Sequence, residues 1–259
     1  MIRVRPKKRL GQHFLTDSSI ALRIVDSLKA EGAPTVLEIG PGTGVLTKYL
    51  IERNFDDLRV IEIDNESVEY LKSHFPGLSI INADFLRMQL DDSFGNKIAI
   101  IGNLPYNISS QIFFRVLENR NRIPEVCCML QKEVAERICT GPGSRTYGIL
   151  SVLLQAFYNA EYLFTVSKNV FTPRPKVESA VIRLSRNEIA SLNCNESLFF
   201  RVVKACFNQR RKTLRNSVKA AFRLKRYDFQ MLDLRPEQLS VGQFVELVNW
   251  IDGNSPDSE

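Results

Sequence analysis

Short apolar runs interleaved with helical stretches constrain the fold of this chain more than any other feature. Residues 36–39, 58–63, 78–82 and 98–101 read as buried strands, and 43–53, 65–74 and 109–118 as helices. A helix over 18–30 precedes them, with Ile20, Leu22, Ile24, Val25 and Leu28 on its apolar face. A fifth strand at 126–130 follows, with helices at 132–139 and 148–157. This alternation predicts an α/β fold, a mostly parallel sheet covered by helices on both faces. Strands at 158–166 and 177–184 fit an antiparallel hairpin at one edge. After Arg186 the pattern turns helical over 196–250, and Leu198, Phe199, Val202, Val203, Phe207, Leu214, Val218 and Phe222 supply a separate small core. The expected division is an α/β domain over residues 1–186 and a small all-α domain over 187–259, with a disordered tail from Gly253.

Open α/β sheets bind ligands beyond the carboxyl ends of their strands, and four of these ends carry chemistry. The first strand runs into Gly40-Pro41-Gly42-Thr43-Gly44, whose glycines let a ligand approach the backbone while the next helix offers unpaired amides. Dinucleotide enzymes use a related turn, but the Gly-Pro-Gly-Thr-Gly spacing, with Glu38 just before it, favours S-adenosylmethionine. Glu62 ends the second strand, 22 residues after Gly40, where an acid accepts hydrogen bonds from both ribose hydroxyls. Asp64 alternates onto the same strand face and is its rival. The third strand leads to Asp84, an acceptor for the cofactor adenine amine, and to Phe85, a ring beside it or a core residue.

The fourth strand ends in Gly102-Asn103-Leu104-Pro105-Tyr106. These residues match one chemical problem, the exocyclic amine of adenine, whose lone pair is delocalised into the ring and nucleophilically weak. The side-chain carbonyl of Asn103 and the backbone carbonyl of Leu104 can accept both amine hydrogens and favour a tetrahedral nitrogen. Pro105 biases Leu104 towards extended backbone and so aims that carbonyl. Tyr106 offers a face for stacking. The plain alternative is a Pro-Tyr loop that closes a strand; the ordered set of four strand ends is far more specific than that motif alone.

Asn103-Leu104-Pro105-Tyr106 resembles the Asn-Pro-Pro-Tyr-type motif of amino-methyltransferases, in the form typical of ribosomal RNA adenine dimethylases. The chain is similar to the small-subunit members of that family over nearly all of 7–184. The similarity includes Lys8-Arg9-Leu10-Gly11-Gln12-His13-Phe14-Leu15, Leu130-Gln131-Lys132-Glu133-Val134, Tyr147-Gly148 with Leu150-Ser151, and the segment from Phe171-Thr172-Pro173-Arg174-Pro175 to Ala180. The resemblance implies a class I methyltransferase fold, S-adenosylmethionine as cofactor and no metal. It implies dimethylation of two neighbouring adenosines near the end of small-subunit rRNA, within an immature ribosomal subunit. It also implies cofactor contacts from His13, Leu15, Gly40, Glu62, Asp84 and Asn103, and a catalytic set of Asn103, Leu104, Pro105, Tyr106 and Phe171. Gln12-His13-Phe14-Leu15 matches a segment that closes over the cofactor, with His13 where Asn is more usual; its polarity becomes pH-sensitive. Phe171 matches an aromatic residue that packs on the target adenine opposite Tyr106.

A large-subunit rRNA adenine methylase conferring macrolide resistance looks similar through the core. Residues 171–177 and the basic helical appendage lean towards the small-subunit enzyme. A role chiefly in binding the immature subunit is a reading from another class. Charge agrees with an RNA partner: residues 1–9 carry five Lys or Arg and no acid, and 201–226 carry ten and no acid. Five cysteines without CxxC spacing argue for a reducing cytoplasm and against a disulfide framework or zinc site. No signal peptide is expected, and no run approaches the roughly 18 apolar residues of a membrane span. A monomer is the default expectation.

Overall fold

The computed structural model describes residues 4–256; Arg3 of the basic N-terminus and the last three residues of the expected tail lie outside them. Contacts divide the chain into two compact units, one up to Ala135 with Asn159–Arg186, the other Glu136–Tyr158 with the residues from Asn187 onward.

The first unit starts with β1 (Phe14–Leu15) and α1 (Ser18–Asp26). Asp17 opens α1 as its N-cap, accepting from the amides of Ser19 and Ile20 at 2.9 and 3.2 Å. The helix stops at Asp26 rather than residue 30, because the Glu125 carboxylate takes the amides of Lys29 and Ala30 at 3.0 and 2.7 Å. Then come β2 (Thr35–Ile39), α2 (Thr47–Glu52), β3 (Asp57–Glu62), α3 (Asn65–His74) and β4 (Ser79–Asn82). They are followed by β5 (Ile98–Asn103), α4 (Ser109–Glu118), β6 (Glu125–Gln131) and α5 (Lys132–Cys139). α2 begins four residues later than the sequence pattern suggests. Gly42 and Gly44 hold φ of 57° and 77°, so the chain cannot wind into a right-handed helix until both are passed. A side chain at Gly44 would also strike the Phe75 ring.

After α6 (Ile149–Gln155), the strands β7 (Tyr158–Val166), β8 (Phe171–Thr172) and β9 (Ser179–Arg186) return to the sheet region. The seven-stranded sheet runs β4-β3-β2-β5-β6-β9-β7, and β1 pairs antiparallel with β8 in a separate ladder. Pairs among β4, β3, β2, β5 and β6 are parallel, whereas β9 lies antiparallel against β6. The chain therefore returns as an antiparallel segment at one edge, as its alternation predicts. Every residue of β2 is buried, as is β5 up to Gly102, so these strands are covered on both faces. At Gly102 a Cβ would lie 2.5 Å from the Ile39 carbonyl oxygen, backbone that cannot move aside. Gly102→Ala is expected to cost about 1–3 kcal/mol, read as a lower thermal midpoint. An unchanged midpoint would mean β2 and β5 can separate freely.

The second unit contains α6 and α7 (Glu196–Asn208), α8 (Leu214–Ala221) and α9 (Val241–Asn254). The sequence pattern places residues up to 186 in one domain, whereas Glu136–Tyr158 packs with the C-terminal helices. The reason is apolar: Leu150–Leu154 are all buried, and Tyr147 meets Phe207 edge-on at 6.3 Å, which in turn lies 6.0 Å from Phe244. The side chain of Gln155 adds bonds to the carbonyls of Ile138 and Thr140 at 2.8 and 2.9 Å. Two further expectations fail here. Residues 222–235 are not helical, being looped by the Tyr227 hydroxyl, which donates to the Phe222 carbonyl at 2.9 Å. Nor does the tail fray at Gly253: α9 runs to Asn254, a buried residue whose amide donates to the Arg226 carbonyl at 2.6 Å.

Candidate active site

Strand order reverses between β2 and β5, since β2 connects outward to β3 while β5 leads the other way to β6. Crevices form at such switch points, beyond the carboxyl ends of the strands. A cavity opens there, lined by the Gly40–Thr43 turn after β2, Glu62 from β3, Ala83–Leu86 after β4, Asn103–Ile108 at the end of β5, and Arg9–Leu15 of the N-terminal segment. His13, Leu15, Gly40, Glu62, Asp84, Asn103, Leu104, Pro105 and Tyr106 thus share one cavity.

Gly40 has φ of 68°, and a Cβ there would find nothing nearer than Pro105 at 4.0 Å. This is space in which a ligand can lie against bare backbone. A Cβ on Gly42 would lie 2.8 Å from the Phe14 ring, so the N-terminal segment closes directly on the turn. Other ties hold that segment down. Lys7 forms ion pairs with Asp64 and Glu66, and the Asn103 amide nitrogen donates to the His13 carbonyl at 3.0 Å. One of the five N-terminal cations is therefore an internal tether rather than a group for a partner.

The acids separate by their neighbours. Glu62 accepts from the amides of Gly42 and Asp64 at 3.1 and 2.9 Å, and burial pushes its carboxyl above the ordinary glutamate range. Asp64 is also buried but is not part of the cavity lining. Burial opposes its ionisation, but the Lys7 ammonium and the Ser67 hydroxyl outweigh it and hold the carboxyl low. Asp84 is partly exposed and anchors its own turn by accepting from the Leu86 amide at 2.9 Å.

Glu38 lies beneath the turn, fully buried. One carboxyl oxygen accepts from Thr47 at 2.6 Å, and the other has no hydrogen-bond partner among the described residues. Burial pushes its carboxyl up to about 8, against the Thr47 bond and with help from the charge of Glu62. A carboxyl raised in the folded state contributes most below its unfolded value of 4.5, and that contribution is lost as pH rises through about 8. Glu38→Gln, which cannot ionise, is expected to flatten the decline of the thermal midpoint between about pH 5 and 8. Parallel curves for the two proteins would show that Glu38 does not titrate in that window.

At the end of β5, Asn103 gives one of its two amide N–H donors to the His13 carbonyl, which orients its side-chain oxygen as the acceptor. The Tyr106 hydroxyl is 2.5 Å from that of Ser179, which fixes the ring. The His13 imidazole stacks on Tyr106 with centroids 5.3 Å apart and planes at 30°, and its Nδ1 lies 2.7 Å from the Pro173 carbonyl oxygen. Phe171 is not brought to this group. Its side chain is 4% exposed and belongs to a core cluster with Leu15, Ile24, Val25 and Val166. Register puts it there, since Leu15 pairs with Phe171 across the β1–β8 ladder. The His13–Tyr106 stack and the Lys7 tether were not legible beforehand, because both join residues far apart in the chain.

The basic stretch of the second unit divides in the same way. Arg215 pairs with Asp233 at 2.9 Å, and Arg210 donates to the carbonyls of Arg145 and Tyr147, so both are engaged within the unit, largely at its surface. Arg211, Lys212, Lys219 and Arg223 are exposed. Among the described residues, no three His, Cys, Asp or Glu side chains come together as a metal site, and no helix is long and apolar enough to cross a membrane.

Comparison with known proteins gives a consistent picture. The family model described as ribosomal RNA adenine dimethylase matches residues 3–253. Ribosomal RNA small subunit methyltransferase A of Parabacteroides distasonis is 58% identical over 94% of this chain and 93% of its own length. The protein of that name from Flavobacterium johnsoniae is 57% identical over the whole of both chains. The fold is shared with a dimethyladenosine transferase from Plasmodium falciparum, at TM-score 0.78 and 23% identity, covering 93% of this chain and 98% of that one. It is similar also to the 23S rRNA methyltransferase ErmE, at TM-score 0.65 and 26% identity, over 91% and 99%. With the glycine turn, the acids and Asn103 gathered at one switch point, and with matches spanning nearly its full length, the chain belongs to the ribosomal RNA adenine dimethylase family.

Proposed function

We propose that this protein dimethylates the exocyclic amines of two adjacent adenosines near the 3′ end of small-subunit rRNA, within an immature subunit. The observation that carries the reading is Asn103: its oxygen is left as an acceptor in the same cavity as the glycine turn and Glu62. S-adenosylmethionine, when bound, supplies a methyl group already activated as a sulfonium. The open backbone at Gly40 fits its methionine end, Glu62 its ribose, and Asp84 its adenine amine. Geometry supports Glu62 over Asp64, whose carboxylate faces Lys7.

The protein's share of the chemistry is orientation and hydrogen bonding. Asn103 and the Leu104 carbonyl hold the amine hydrogens, directing the nitrogen lone pair at the methyl carbon. With the donor bound, that nitrogen would take the methyl as the thioether leaves, and the amine would lose its extra proton to water. A base inside a stack cannot reach this recess, so the target is extruded or lies in a loop. Tyr106 compensates by stacking, worth about 1–3 kcal/mol per base.

The test is incubation with labelled methyl donor and unmethylated small subunits, followed by mapping of the modified bases. Two adjacent dimethyladenosines near the 3′ end are expected. The likeness to ErmE makes modification of the large-subunit rRNA the second reading, and primer extension across both rRNAs decides. Relatives at 57–58% identity favour the small subunit. A part in late assembly, a cytoplasmic location and a monomeric state belong to the same proposal. Comparing subunit profiles of a deletion with those of a catalytically dead variant separates assembly from methylation.

We assign RNA contact to the exposed cations of the second unit. Reversing Arg211 and Lys212 together is expected to weaken small-subunit binding and reduce its salt slope by about 2. An unchanged slope would leave these side chains facing solvent only.

A further inference from the structure

We propose that the loop joining β8 to β9 is a phosphate clamp, in which Arg174 and Lys176 hold the RNA backbone on either side of the extruded adenosine. The inference deepens the proposed adenine methylation and rests on it. An extruded nucleotide draws its two flanking phosphates towards the cavity, whose walls carry the acids Glu62 and Asp84. Cations at the rim offset that repulsion and hold the nucleotide out of its stack. Arg174 and Lys176 are exposed, and neither has an ion pair or hydrogen bond among the described residues. The acid of this loop, Glu178, is already spent, because its carboxylate pairs with Lys132 at 3.1 Å. Val177, next to Lys176, is 45% exposed, an apolar neighbour that suits a ribose rather than a free anion.

The loop is held to the cavity wall at both ends. The Pro173 carbonyl oxygen lies 2.7 Å from His13 Nδ1, and the Ser179 hydroxyl lies 2.5 Å from that of Tyr106. His13 and Tyr106 both line the cavity. Between these ends, the Glu178 carbonyl accepts from the Lys132 amide at 3.0 Å, and Pro175 is buried between the two exposed cations. Pro173 and Pro175 also fix φ along the loop. The charges are therefore carried on a preorganised mount, and little freedom is lost when RNA arrives. Arg174 follows the Pro173 anchor directly. Lys176 is two residues further on, at most about 7 Å along the chain, a spacing that suits consecutive phosphates of one strand. Arg211 and Lys212 act on subunit binding as a whole, whereas this pair acts on the nucleotide that enters the cavity.

The test combines Arg174→Ala with Lys176→Ala and measures single-turnover methyl transfer to unmethylated small subunits, with methyl-donor affinity by calorimetry. A second set of subunits carries 2-aminopurine at one target adenosine, whose fluorescence changes when the base leaves its stack. Both side chains are exposed, so the thermal midpoint is expected to stay as in wild type. Donor affinity is expected to stay within about twofold and subunit affinity within about threefold. The rate at saturating donor and subunits falls about tenfold, and most of the fluorescence change is lost. The charge-preserving pair, Arg174→Lys with Lys176→Arg, stays within about threefold of the wild-type rate. A double-alanine variant with the wild-type rate and fluorescence change would overturn the proposal. So would a loss confined to donor affinity, or a loss of subunit affinity with full rate at saturation, which would make the two cations general tethers. A charge-preserving pair as slow as the double-alanine variant overturns it as well. If wild type transfers no methyl to small subunits, the proposed function fails instead, and that result is separate from any ranking of the variants.

Discussion

Asn103→Ala lowers the single-turnover rate of methyl transfer by about 10²–10³-fold while small-subunit binding stays measurable. The size follows from what a single preorganised hydrogen-bonding group contributes at a reacting centre. Adenine's amine gains nucleophilicity only as its nitrogen becomes tetrahedral, so an acceptor placed for that geometry acts on the transition state more than on the bound base. The effect should therefore fall on the rate at saturation and leave the half-saturating subunit concentration almost unchanged. Asn103 also donates to the His13 carbonyl at 3.0 Å, so alanine removes a structural tie as well. Asn103→Asp separates the two roles: it keeps an acceptor but places a carboxylate before the His13 carbonyl, where it cannot donate. Turnover of Asn103→Ala near the wild-type rate would remove Asn103 from the reaction.

The parts of this fold that sequence periodicity reveals are those set by neighbours along the chain. α3 and α4 begin and end where their apolar spacing places them, at Asn65–His74 and Ser109–Glu118, because each buries one stripe against the sheet. The strand ends carrying Gly40, Glu62, Asp84 and Asn103 were equally legible, since a parallel sheet brings consecutive carboxyl ends to one edge. What periodicity cannot give is pairing at long range. The amides of Lys29 and Ala30 meet Glu125 about 95 residues away, and that contact rather than propensity ends α1. Phe171 looks like a wall of the base site from its motif, but its register with Leu15 turns the ring into the core. Helix α6 is apolar enough to suit either unit, and its own long-range packing, together with the Tyr147 contact just before it, settles which.

Glu62→Ala weakens methyl-donor binding by about 100-fold, measured by calorimetry without RNA. Hydrogen bonds to a charged acceptor are worth about 1.5–3 kcal/mol each, and a ribose offers two hydroxyls. The same carboxylate holds the amides of Gly42 and Asp64, so its removal also loosens the turn that the methionine end needs. Asp64→Ala gives the control: it frees Lys7 from one of its two acidic partners but takes nothing from the cavity lining, and a loss below tenfold is expected. The reverse ranking would make Asp64 the ribose acid. pH supplies an independent check on the same residue. Burial lifts the Glu62 carboxyl above its ordinary value of 4.5, and the ionised form is the better acceptor for two hydroxyls. Affinity should therefore tighten as pH rises through that raised value and then level off. Glu62→Gln, with one acceptor and no titration, should bind more weakly at neutral pH and lose this slope. A slope that survives in Glu62→Gln belongs to another group, and the buried Glu38 beneath the turn is the first to examine.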